Sequence, residues 1–275
     1  MFVRWAAVSG PASAFYRVLI AAVVLVPWRL MRRDLPAPPR RAAWLAVVGG
    51  VFFGFDLLFY NTALLRTSAA NAVLLANTAP VIVGIGTWLV FQRRPRTAFW
   101  TGLALALAGC GAIMMADAAA HEQVLAGNLS GDLLALTAAI FWALYLMTTE
   151  RVRVDLDTLT FSALSIVGSV GTLLILCLAL RVPLAGYSGR SWASLAGLGL
   201  ISQLAAYFAI VYALGHLPAT IMSVGLLAQF PLTAIVAVPL LGEPLTVAEI
   251  AGGLVVLAGI YVVTRAPRGT VRQRA

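Results

Sequence analysis

GLALALAGCGAIMMAD, residues 102–117, holds one charged residue, Asp117, and that residue stands at its end. A helix needs roughly 20 predominantly apolar residues to cross the hydrocarbon of a bilayer, and this stretch supplies most of one such span. Eight more segments of the same kind lie on either side of it. The nine predicted spans are 12–28, 42–62, 69–91, 97–116, 131–149, 159–180, 192–213, 217–240 and 246–264. Composition agrees: 61% of residues are apolar and 11% are charged, against roughly 45–50% and 25% in an ordinary soluble domain. The apolar residues are long continuous runs, not one face of a helix. With no water to satisfy backbone groups, such runs must be helices, because barrel strands would be shorter and would alternate.

The stretch has an echo. GGLVVLAGIYVVTRAP, residues 252–267, places Gly252, Leu257, Ala258 and Gly259 where the first places Gly102, Leu107, Ala108 and Gly109. The preceding spans follow the same offset: Ala63-Leu64 with Ala213-Leu214, Ala69 with Ala219, and, after a slip of one residue, Pro80 with Pro231. Several matches in order at one offset indicate an internal repeat. Its halves are 1–117 and 131–265, followed by a basic tail, 266–275.

Charge says how the halves are related. All 19 basic residues are arginine, and 14 of them fall in alternate gaps and in the tail: Arg29, Arg32, Arg33, Arg40, Arg41, Arg93, Arg94, Arg96, Arg151, Arg153, Arg265, Arg268, Arg272 and Arg274. By the positive-inside rule that side is cytoplasmic, and so is the C-terminus. Arg93, Arg94 and Arg96 follow the third span, whereas its counterpart is followed by Gly242-Glu243-Pro244. Equivalent loops therefore lie on opposite sides, the mark of an inverted repeat with an odd number of spans per unit. The second half has five spans and the first has four. The expectation is one further helix before MFVRWAAVSG, residues 1–10, and a chain that begins late. A signal peptide over residues 1–30 is the competing reading, but no small-residue cleavage site leads into a soluble chain.

Two five-helix halves in inverted orientation, PASAFYRVLIAAVVLVPW (11–28), TSAANAVLLANTAPVIVGIGTWLVF (67–91) and LLGEPLTVAEIAGGLVVLAGIYVV (240–263) resemble the EamA-like branch of the drug/metabolite transporter superfamily. The likeness runs from about Arg4 to Thr264. It implies a secondary carrier of the bacterial inner (plasma) membrane with a central cavity between its halves. Members are often exporters of amino acids or related metabolites.

Asp56 sits in the apolar run VFFGFDLLFYN, residues 51–61, and its counterpart at the repeat offset is Ala206. Packing symmetry therefore cannot explain it, and an intramembrane acid is a functional candidate. Tyr60 shares its helix face, and Gln203 and Tyr207 repeat the same i, i+4 spacing in the other half. Asn77 and Gln229 each precede a mid-helix proline, Pro80 and Pro231, which frees a carbonyl and favours a bend. Trp142 and Tyr145 are candidate aromatic lining, although such residues more often pack. Arg17 lies about 12 residues from the arginine-rich end of its helix and Asp56 about 14 from that end of the next, so both stand roughly 18–21 Å deep. A buried Arg17–Asp56 ion pair is thus a structural rival to a coupling or substrate role.

Other classes fit less well. The arginines alternate with spans and form no continuous groove for nucleic acid. Cys110 and Cys177 each stand alone in an apolar span, and His121 and His216 fall in gaps, so neither metal nor cofactor is expected. An integral enzyme needs clustered acids or histidines, and Asp56 is alone. The expected partners are a small-molecule substrate and the lipid bilayer. The Gly102/Gly109 and Gly252/Gly259 pairs, each seven apart on one face, predict close helix packing within the chain or in a homodimer.

Overall fold

A computed structural model describes residues 8–120, 128–241 and 246–265. The expectations that rest on residues 1–7, His121, Gly242-Glu243-Pro244 and the 266–275 tail lie outside these residues. The described chain is all-α: α1 (Gly10–Met31), α2 (Arg40–Arg66), α3 (Ala69–Ala76), α4 (Ala79–Phe91), α5 (Thr97–Ala120), α6 (Leu129–Val152), α7 (Thr158–Ala179), α8 (Gly189–Gly197), a π-helical segment (Leu198–Ala206), α9 (Tyr207–Leu214), α10 (Ala219–Gly225), a 3-10 turn (Leu226–Ala228), α11 (Gln229–Leu241) and α12 (Val247–Arg265). Among the described residues these elements compose nine helical stretches long and apolar enough to cross a membrane. The protein is a polytopic helical membrane protein, and the nine predicted spans match the nine stretches to within a few residues at each end.

Several helices begin where a polar side chain can satisfy a free amide. Ser68 accepts from the amide of Asn71, Asn128 from that of Ser130, Asp157 from that of Thr160, and Ser188 from that of Ser191. Partial burial pushes the Asp157 carboxyl upward, but its bonds from the Thr160 hydroxyl and amide, with the charge of Arg29, outweigh burial and hold it below the usual carboxylate range. Because the folded-state value is depressed, the stabilisation is complete above the unfolded aspartate pKa of about 3.9. It disappears as pH falls through the lower folded value. Asp157→Ala is expected to cost about 1 kcal/mol at neutral pH. Thermal melting in detergent should show a deficit at neutral pH that narrows in acid.

The spans of the mid-helix prolines Pro80 and Pro231 are interrupted, whereas α1 carries Pro27 near its C-terminal end without a break. α3 ends at Ala76, whose carbonyl stands four residues before Pro80, and α4 starts at Ala79. Asn77 closes α3 by donating from Nδ2 to the Val73 carbonyl at 2.7 Å, and the Thr78 hydroxyl donates to the Leu75 carbonyl at 2.7 Å. In the other half the 3-10 turn Leu226–Ala228 lies just ahead of Pro231. A proline ring clashes with the carbonyl four residues back, so the chain tightens or breaks upstream of the ring itself.

The helices divide into two compact units, Met1–Val83 with Leu125–Ala219, and Gly84–Val124 with Thr220–Ala275. This division by packing draws each unit from both sequence halves. In the first, α2 crosses α7 with backbones nearly touching. A Cβ on Gly50 would lie 1.8 Å from the Ser165 carbonyl oxygen, and one on Gly168 would lie 2.3 Å from that of Val47. The Ser169 hydroxyl donates to the Gly50 carbonyl at 2.8 Å across this crossing. Lipid is as apolar as a leucine side chain, so close approach and interhelical hydrogen bonds hold such helices together.

In the second unit α5 and α12 cross at the repeated glycines. A Cβ on Gly102 would lie 2.5 Å from the Gly259 carbonyl oxygen, and one on Gly109 would lie 2.5 Å from that of Gly252. The glycine pairs therefore pack within the chain. Each glycine meets the repeat counterpart of its own partner, as in a contact about a two-fold axis.

Candidate functional site

α1, α2, α6, the π segment and α9 bring seven of the nine sequence candidates into one region of the first unit. Arg17 on α1 is 7% exposed and Asp56 on α2 is 8% exposed. Arg17 donates from Nε to Gln203 Oε1 at 3.1 Å, and its guanidinium carbon stands 5.7 Å from the centroid of the Tyr207 ring. The ion pair proposed for Arg17 and Asp56 is not formed. Among the described residues the one ion pair within 4.0 Å is Arg32–Asp34, exposed at the surface.

The reason lies in how α1 meets the π segment. Gly199 presents no side chain to α1, and a Cβ there would lie 2.7 Å from Ile20 and 3.2 Å from the Arg17 carbonyl oxygen. Arg17 is thereby turned towards Gln203. The π winding is the second element of this arrangement, since it sets where Gln203 and Tyr207 fall around the helix, and single π turns recur at functional sites. Asp56 and Tyr60 occupy successive turns of α2.

An aromatic wall adjoins them. Phe53, one turn before Asp56, has ring-centroid distances of 4.6 Å to Tyr207 and 5.0 Å to Tyr145. Trp142 stacks on Tyr145 at 5.4 Å and meets Tyr207 edge-on at 5.7 Å. Trp142, Tyr145 and Tyr207 are thus assembled as candidates, and Phe53 joins them.

Against this wall lies a cavity of about 20 Å³ lined by Phe53, Tyr145, Ser162, Ser165, Gln203 and Tyr207, among others. One water needs about 10–15 Å³ measured this way, so there is room for one. The Ser162 hydroxyl is buried with no hydrogen-bond partner among the described residues, which makes it the natural host. Sequence reading missed Ser162 and Ser165, because serines in TFSALSIVGS look like small packing residues.

Asn77 is at the break between α3 and α4 in the first unit, and Gln229 opens α11 in the second. His216 is exposed, with its ring Nδ1 2.9 Å from the Tyr212 carbonyl oxygen. Among the described residues no three of His, Cys, Asp or Glu gather as a metal site.

Residues 1–115 and 129–265 match the EamA-like transporter family. The chain is 28% identical over 256 residues to an uncharacterized transporter of Archaeoglobus fulgidus, covering 91% of this chain and 86% of that one. It is 28% identical over 263 residues to the uncharacterized transporter YwfM of Bacillus subtilis, covering 94% and 85%. A solved crystal structure superposes with a TM-score of 0.74 at 20% identity, covering 94% of this chain and 88% of the other, a likeness of fold alone.

Proposed function

Because the chain belongs to the EamA-like transporter family, a family of membrane transporters, we propose that it exports amino acids or related small metabolites by alternating access, as a secondary active carrier. Its sequence halves, 1–117 and 131–265, are inverted repeats in this reading. The reciprocal glycine contacts between α5 and α12 support it. The chain spans the bacterial inner membrane, with the arginine-rich ends and the C-terminus in the cytoplasm.

The observation that carries the reading is the state of Arg17. It is buried, bonded to the neutral Gln203 and the face of Tyr207, and, among the described residues, within 4.0 Å of no carboxylate. A buried cation with no carboxylate in direct contact is costly, and inside a membrane such a group marks a pathway for solute or proton. Arg17, Gln203 and Tyr207 bind the substrate in this reading, Tyr60, Trp142 and Tyr145 line its path, and Asp56 couples its movement to protons. Membrane vesicles containing the protein should accumulate one or more labelled amino acids or metabolites above an empty-vector control. Equal uptake by both vesicle preparations for every solute in the panel would overturn the proposal.

A further inference from the structure

A second polar constellation lies apart from Arg17, where α6 ends and the turn Gly215–Pro218 joins α9 to α10. Arg153, just past α6, donates from Nε to the Val211 carbonyl of α9 at 3.1 Å. Its Nη2 donates to Thr158 Oγ1 at 2.7 Å, and its Nη1 donates to the Leu156 carbonyl. Glu150, one turn earlier, accepts the backbone N–H of Ala219, the first residue of α10, at 2.9 Å. The cation thus holds a carbonyl near the C-terminal end of one helix and the anion holds the first amide of the next. Both signs oppose the partial charges that helix ends carry.

The turn between these two bonds has little packing beneath it. A hollow of about 220 Å³ opens there, lined by Glu150, Arg153, Leu214, Gly215, His216 and Pro218. Gly215 and His216 are exposed. Leu214 and Ala219 at its two ends are buried, and between them the side chains of Glu150 and Arg153 hold the exposed part of the turn. Ala219 is also the last residue of the first compact unit, and Thr220 begins the second.

We propose that Glu150 and Arg153 are positioning residues, a two-armed clamp that holds the α9–α10 turn and whose Glu150 arm is the one that opens first. Arg153 is anchored by three bonds to three different residues, whereas Glu150 reaches the turn through the single amide of Ala219. The arm that yields is the single one.

Hydrogen exchange of the purified full chain in lipid nanodiscs tests this without any substrate, so its failure is separate from failure of the export reading. Glu150→Ala should speed exchange across residues 216–222 about tenfold, as for the loss of one charge-assisted hydrogen bond, with the other helices unchanged. The melting temperature should stay within about 2 °C of the parent. Glu150→Gln keeps an acceptor oxygen and should restore most of the protection. Should Glu150→Ala fail to accumulate, Glu150→Asp, which keeps the charge but shortens the arm that reaches the Ala219 amide, is read by the same criteria. Unchanged exchange in the turn would overturn the clamp. So would acceleration spread over α6, α7 and α9 with a fall in melting temperature, which describes an ordinary staple of the fold.

Discussion

Gly50→Ala is expected to leave almost no folded protein in the membrane. The added methyl would have to occupy a point 1.8 Å from the carbonyl oxygen of Ser165. That atom is backbone in the middle of α7, so no side chain can swing aside to make room. Relief requires α2 to lift from α7, which also breaks the bond from the Ser169 hydroxyl to the Gly50 carbonyl. Overpacking in a tight core costs about 1–3 kcal/mol when side chains can adjust, and a backbone collision belongs at or above the top of that range. Gly171→Ala in the same α7 is the control, because a Cβ there meets nothing within 4 Å. It should be neutral or stabilise by up to about 1 kcal/mol through helix propensity. Detergent-extracted yield and melting temperature of the two variants check the contrast, and equal yields would overturn it.

Asp56→Asn should give the second large effect, on transport with folding intact. The carboxyl is buried and forms no ion pair with Arg17 within 4.0 Å, so replacing it with an amide of the same shape removes no such contact. What it removes is a proton site. Uptake should fall about tenfold or more, the scale of a lost general acid–base group, and the remainder should lose its dependence on pH. Arg17→Lys keeps the charge but loses the planar fork that reaches Gln203 and lies near Tyr207, so it should impair transport as well. Folded protein with unchanged pH dependence would rule out coupling through Asp56. Loss of folded protein in Asp56→Asn would make the acid a structural residue.

The spans were legible because length and continuous apolarity are one-dimensional properties, and the arginines marked the gaps between them. Pro80 and Pro231 marked where two helices would fail, but not that the break would fall upstream, at Asn77-Thr78 and at Leu226–Ala228. Counting residues from a helix end gave Arg17 and Asp56 a common depth. It could not give the angle around the helix axis, and that angle sends Arg17 to Gln203. The π winding of Leu198–Ala206, which packs on α1 at Gly199, carries no residue signature. Ser162 was missed for the opposite reason: its role comes from the cavity beside it, and cavities have no sequence pattern.

The α5–α12 crossing bears on the order of biogenesis. Gly102 enters the bilayer well before Gly259, whose carbonyl oxygen lies where a Gly102 Cβ would point, because α6 to α11 are made between them. Until then the glycine groove of α5 faces lipid or whatever escorts nascent helices through the translocon. The second unit cannot close until α12 has been synthesised, and any stop codon before Gly252 would strand α5 without its mate and expose it to membrane quality control.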